Sequence, residues 1–169
     1  TQKNARIILE LARRTDIPVF AGADRPLLRP LITAEHVHGK TGLDGPTLPN
    51  PTMPLQDLHA VDFLIRTLRS EPAGTVTLCP IGPLTNIALA LKLDPTLPQR
   101  VKRFLVMGGA ITAHGNITPV AEFNVGFDPE AAHVVLSGFP KYDLADWEAT
   151  LAHGFHHRRV EEWLAADSP

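Results

Sequence analysis

The sequence predicts an α/β fold, an open, mostly parallel sheet with covering helices. Segments of helical apolar period alternate along the chain with short apolar strands, so helices and strands follow one another in turn. The strands end on turn residues, Gly22, Pro80-Ile81-Gly82 and Gly108-Gly109. Residues 75–79 are apolar enough for a strand of a parallel sheet, which is covered on both faces.

Residues 1–14 read as a helix with Ala5, Ile8, Leu9, Leu11 and Ala12 as its apolar stripe. Residues 16–22, D-I-P-V-F-A-G, read as a short buried strand ending in glycine. Residues 25–54 are rich in proline and glycine and show little periodicity. A loop this long inside a compact domain is functional or disordered, and its lack of apolar anchors predicts the most mobile part of the chain. Residues 54–68 read as an amphipathic helix on Leu58, Val61, Leu64, Ile65 and Leu68, ended by Glu71-Pro72-Ala73-Gly74. The strand 75–79 follows, with Cys79 as a small core residue, and then a helix rich in Ala and Leu from Thr85 to Leu93. Residues 103–107 form the next strand. Asp128 is a good N-cap with Pro129 at the first helical position, and that helix ends at Gly138. Residues 141–145 read as one more strand. Residues 155–166 read as a final amphipathic helix, with His156-His157-Arg158-Arg159 on a solvated face.

The 169 residues are enough for one domain, 1–169, burying roughly 70% of the unfolded chain's surface. Hydrophobic residues make up 44% and charged residues 20%, an ordinary globular balance. A formal net charge of −2 points to neither nucleic acid nor an anionic membrane as partner. No apolar run approaches the ~20 residues that span a bilayer. The lone cysteine, Cys79, excludes an intrachain disulfide framework and fits a reducing compartment.

Within the long loop, Glu35-His36-Val37-His38-Gly39-Lys40-Thr41-Gly42 invites several readings. Gly39-Lys40-Thr41 matches the tail of a phosphate-binding loop, but Ala34 stands where that motif needs its first glycine, and Pro30 breaks a feeding strand. His36 and His38 could put two imidazoles on one side of a strand, but no third or fourth metal ligand sits nearby in sequence. A substrate-covering flap and a solvated loop both remain open.

The densest set of polar groups lies between Val106 and Ala131, in the loop leaving the strand 103–107: His114, Asn116, Thr118, Glu122 and Asn124. In an open α/β sheet, ligands bind in loops at the carboxyl ends of strands. If the segment is extended, Glu122 and Asn124 point the same way and Phe123 points opposite. A carboxylate beside carboxamides suits a neutral polyol such as a sugar, because the carboxylate accepts from hydroxyls and the amides both donate and accept.

The pattern G-G-A-x(5)-G-N-x-T-P-x-A-E-F-N-x-x-x-D-P-E-A-A resembles the central signature of the inosine-uridine-preferring nucleoside hydrolases. His38-Gly39-Lys40-Thr41-Gly42-Leu43-Asp44-Gly45 and Cys79-Pro80-Ile81-Gly82-Pro83-Leu84-Thr85-Asn86 agree with the same family, and the likeness is weakest after about Gly138. The resemblance implies a Rossmann-like core and hydrolysis of the N-glycosidic bond of ribonucleosides, in cytoplasmic nucleoside catabolism and base salvage. It implies catalytic roles for His38, near the leaving base, and Glu122, with Asn116, Glu122, Phe123 and Asn124 binding the substrate. It also implies a catalytic Ca2+ whose ligands include the backbone carbonyl at Ile81, and assembly of the full-length protein as a homodimer or homotetramer. The family opens with an aspartate cluster, D-x-D-P-G-x-D-D, and ends with a distant His-Asp pair. Neither occurs here, the usual L-D-x-T is replaced around Asp146-Trp147-Glu148-Ala149-Thr150, and the first residue is Thr1. A fragment that keeps the sugar half of the site is the simplest expectation, with a non-catalytic domain that retains part of a ribose site as the alternative.

Overall fold

The computed structural model describes residues 1–45, 47–112 and 114–166. Its sheet is three-stranded and parallel, in the order β1 (Val76–Leu78), β2 (Val101–Met107), β3 (Asp143–Ala145). Thr77 pairs with Arg103 and Leu78 with Phe104, and on the other side Val106 pairs with Leu144 and Met107 with Ala145. The predicted α/β class with parallel strands is therefore what forms. The connections are α4 (Thr85–Leu93) between β1 and β2, and α5 (Phe123–Phe127) and α6 (Pro129–Gly138) between β2 and β3. Parallel neighbours need such crossovers.

The core lies between the sheet and α3 (Ala60–Ser70), α4 and α6. Val61 and Leu68 of α3, Ala88 and Leu91 of α4, and Ala131, Ala132 and Val135 of α6 pack with Phe104 and Val106. Phe104 stacks on Phe139 with ring centroids 3.9 Å apart. Alternation along β2 sends Phe104 and Val106 into this core and leaves Leu105 and Met107 on the other side.

Several expectations are corrected. Residues 16–22 do not form a regular strand: only the bridge between Phe20 and Gln56 exists there. The N–H groups of Gln56 and Ala60 donate to Val19 and Ala21, and the N–H of Ala23 donates to the Asn86 side chain, so the segment is tied to loops and a helix end, not to β1. Residues 54–59 form that bridge at Gln56 and then bend at residues 57 and 58, and the helix predicted from residue 54 starts at Ala60, with His59 as its N-cap. Cys79 is exposed, because Thr77 and Cys79 lie on the β1 face opposite Val76 and Leu78. In α1 (Gln2–Leu11) the buried residue is Ile7, while Ile8 and Leu11 of the expected stripe are exposed. The covered face is the one bearing Arg6 and Glu10, which bond to residues 52 and 53 of the long loop. That loop contains one helical turn, α2 (Glu35–His38). On a helix, residues two apart point about 200° apart, so His36 and His38 do not share a side as the strand reading requires.

Past β3 the chain forms α7 (Trp147–Ala152), capped by Asp146 and unforeseen in the sequence, and α8 (His157–Ala165). Among the described residues no helix is long and apolar enough to cross a membrane.

Candidate functional site

Three chain segments meet at the carboxyl end of β2. The N–H of Met107 donates to the Pro80 carbonyl in the turn after β1 (3.0 Å), and the N–H of Gly108 donates to Ala145 at the end of β3 (3.1 Å). The chain then turns through Gly109, whose φ of +80° falls in the left-handed region that favours glycine. The Gly109 carbonyl accepts from Trp147 at the start of α7 (2.8 Å).

Glu122 closes this edge. It is 2% exposed. Its backbone is extended (φ −76°, ψ 150°), and it is the N-cap of α5. One carboxylate oxygen accepts from the N–H of Asn124 (2.9 Å); the other accepts from Gly109 (2.9 Å) and Val125 (3.3 Å). Phe123 donates its N–H to the Asn116 side-chain oxygen (2.7 Å). The first N–H groups of α5, which a helix leaves without internal partners, are thus shared out between Asn116 and Glu122. The expected extended pairing of Glu122 and Asn124 is corrected: Asn124 lies in the first turn of α5, because the carboxylate nucleates a helix there. Asn124 still faces the sheet edge, since its amide donates to the Met107 carbonyl (3.2 Å) and approaches the Met107 sulfur (3.1 Å). Phe123 is half-buried, 5.8 Å from Phe127 between ring centroids.

The structure thus joins Asn116, Glu122, Phe123 and Asn124 in one hydrogen-bonded unit, with Ile81 next to the Pro80 that bonds Met107. Ile81 is 76% exposed. His38 is not brought to this unit. It is exposed at the end of α2, and among the described residues no hydrogen bond or ion pair links residues 35–45 to residues 108–127. His114 is exposed, and its ring nitrogen lies 3.3 Å from the Pro119 carbonyl within its own loop. Gly115 passes so close to Ala121 that a Cβ would meet its backbone at 2.1 Å, which fixes glycine there.

Two carboxylates matter more than their sequence context suggested. Asp128, fully buried, caps α6 through Ala131 (3.0 Å) and also accepts from the Thr85 hydroxyl (2.7 Å) and the Leu27 N–H (2.9 Å). The cap was legible from Asp-Pro-Glu; the ties to residues 43 and 101 positions away carry no local signal. Glu148 of α7 accepts from the N–H groups of Ile111 (2.8 Å) and Thr112 and from the Thr112 hydroxyl (3.1 Å), and so holds the start of the polar loop. A cavity of ≈ 390 Å³ lies elsewhere, among Phe155, His156, Arg158, Arg159 and Glu162, and shares no residue with this edge.

A buried carboxylate whose oxygens are fixed by backbone donors, beside a carboxamide at a strand end, holds a fixed negative charge at that edge. Among the described residues no group of three or more His, Cys, Asp or Glu could hold a metal ion.

The family model described as inosine-uridine preferring nucleoside hydrolase matches residues 1–169. An uncharacterized protein of Schizosaccharomyces pombe is 55% identical over 141 residues, which is 83% of this chain and 46% of that protein. The pyrimidine-specific ribonucleoside hydrolase RihA of Escherichia coli is 45% identical over 170 residues, covering 100% of this chain and 54% of its own. Among solved structures, the plant nucleoside hydrolase PpNRh1 superposes with a TM-score of 0.87 at 33% identity, over 99% of this chain and 53% of that one. The chain spans about half the length of the curated relatives it matches.

Proposed function

Because the chain belongs to the inosine-uridine preferring nucleoside hydrolase family, we propose that it carries the ribose-binding part of a ribonucleoside hydrolase, an enzyme that cleaves the N-glycosidic bond to give ribose and a free base. The observation that carries this reading is the buried Glu122 carboxylate, oriented by Gly109, Asn124 and Val125 at the carboxyl end of β2.

The chemistry follows from that geometry. Cleavage develops oxocarbenium-like positive charge on the sugar ring, and a fixed negative group beside the ring stabilises it. A carboxylate has about four lone-pair positions. Three of those on Glu122 are occupied by backbone N–H groups, which leaves one to accept from a ribose hydroxyl. Asn116 and Asn124 orient the remaining hydroxyls, so binding energy is applied to the reacting geometry. Phe123 supplies apolar contact to the same substrate. His38 acts at the leaving base as proton donor, once its loop reaches the strand edge.

Family membership suggests calcium, and the described residues do not fit it. Calcium takes about six to eight oxygen ligands. Here the Ile81 carbonyl is one candidate, and among the described residues no acidic cluster accompanies it. The roles assigned to this chain are therefore those of its own side chains. The same lack of a metal-holding cluster favours a second reading, a domain that binds ribose without turning it over. Cytoplasmic nucleoside catabolism, and a dimer or tetramer of the full-length protein, extend the proposal.

The test is release of reducing sugar from uridine and inosine by the chain and by its Glu122→Gln variant, each with and without calcium. Sugar release that falls at least about a hundredfold in the variant supports hydrolysis. Saturable nucleoside binding without release supports the second reading. Neither binding nor release overturns both.

A further inference from the structure

The loop that carries His38 is fastened at both ends by different parts of the fold. At its start, the Ala23 N–H donates to Asn86 (2.8 Å), the Leu27 N–H to Asp128 (2.9 Å), and Arg29 pairs with Glu130 (2.8 Å), so this arm is tied to the first turns of α4 and α6. At its end, Glu10 of α1 accepts from the Thr52 N–H (2.6 Å), the Thr52 hydroxyl (2.9 Å) and the Met53 N–H, while Arg6 donates to the Met53 carbonyl (3.1 Å).

Between these anchors, residues 39–44 form a self-contained turn. Asp44 accepts from the N–H groups of Lys40 and Thr41 (3.2 Å each) and from the Thr41 hydroxyl (2.7 Å). Gly39 lies so close against it that a Cβ there would sit 1.9 Å from the Asp44 carboxylate. Such a turn is one compact unit, and His38 is the residue that leads into it. Among the described residues, the Gly39 N–H donates back to the Glu35 carbonyl of α2 (2.9 Å), and one hydrogen bond joins the turn to a distant part of the chain: the Asn4 side-chain amide of α1 donates to the Thr41 carbonyl (2.8 Å). Gly42 backs onto the same amide, at a φ of +77°.

We propose that Asn4 is a positioning residue for His38, a latch that holds the His38 turn on α1 and sets how often it leaves for the strand edge where Glu122 lies. This rests on the reading that His38 acts there on a nucleoside. A single exposed hydrogen bond biases such an equilibrium by about tenfold at most, which suits a latch that ligand binding can override. Loss of the latch redistributes the turn without touching Glu122, Asn124 or the core.

The chain supplies its own ruler. Cys79 is its lone cysteine, exposed, and two residues before Ile81. Val37, beside His38, is 66% exposed. Spin labels on Cys79 and on Val37→Cys give the turn-to-edge distance by double electron–electron resonance, with no nucleoside present. The expected result is a dominant distance for Val37→Cys alone, and a second population enlarged several-fold when Asn4→Ala or Asn4→Asp is added. Asn4→Asp keeps the shape and removes the donor, so it reports the hydrogen bond even where the alanine variant folds poorly. Distributions that superimpose in all three proteins overturn the latch. Inosine and uridine cleavage by the same proteins separates the two readings: a changed distance distribution with cleavage indifferent to His38→Ala leaves the latch standing and removes the catalytic role of His38.

Discussion

In the loop after β2, three backbone N–H groups end on one buried carboxylate, and the chain is tied to the turn after β1, to β3 and to α7 within a few residues of Gly109. In the loop that carries His38, among the described residues, the hydrogen bonds of residues 35–45 are local, within the turn or back to Ala34, except for the one from Asn4. Both loops carry residues assigned to one substrate. The first is built on the sheet and is pre-shaped, as electrostatic stabilisation requires. The second lies against α1, outside the core, and is held by fewer long-range hydrogen bonds. In the proposed function, the first loop is a fixed sugar half and the second a delivered base half.

The contrast is broken most directly at Glu122. Glu122→Ala strands three N–H groups at a buried edge, and the expected loss of stability is roughly 3 kcal/mol, read from denaturant unfolding. A loss below about 1 kcal/mol would mean that the loop after β2 is no better fixed than the other. Asn116→Ala removes one acceptor from the exposed side of the same unit, and a loss of about 1 kcal/mol is expected from the same measurement. The His38 ring bonds to no partner among the described residues, so with His38→Ala stability stays within about 0.5 kcal/mol of the parent while any nucleoside cleavage falls by about a hundredfold or more.

The smallest effect is one of pH. Hydrogen bonds from Met53, and behind them those from Thr52, together with the nearby Arg6 charge, hold the Glu10 carboxyl below its ordinary value of 4.5. A carboxyl lowered in the folded state adds stability above its unfolded value and loses it as pH falls through the folded one. Amide protection at Thr52 and Met53 should therefore be full at neutral pH and fade below about pH 4.5, while protection at Val106 in β2 persists. Protection that fades equally at both places would show that α1 does not separately anchor the long loop.

The legible parts of this molecule were those written locally. The strand before Gly108-Gly109, the cap at Asp128 and the Ala- and Leu-rich α4 each depend on neighbours a few residues away, and all formed as expected. Glu122 was legible as a polar residue at a strand end, but not as a helix cap, because its geometry is set by Gly109, thirteen residues earlier. Residues 16–22 misled for a similar reason. Their apolar pattern fits a strand, yet strand pairing depends on a neighbour, and here Gln56 and Asn86 take the backbone groups. In α1 the polar contacts of Arg6 and Glu10 chose the buried face against the apolar stripe. His38 was legible as a residue type and not as a position, because the turn it leads into meets the rest of the fold through a hydrogen bond from Asn4, 37 residues before Thr41.

The claim that the edge at Glu122 receives a ribose is tested most directly by an amide chemical-shift titration of the chain with uridine, inosine and free ribose. The N–H groups of Gly109, Asn124 and Val125 all donate to the Glu122 carboxylate, so they report on anything that carboxylate accepts. Saturable shifts at these three amides with all three ligands, largest for the nucleosides, are the predicted result. Shifts confined to the cavity around Phe155, Arg159 and Glu162, with Gly109, Asn124 and Val125 unmoved, would contradict it.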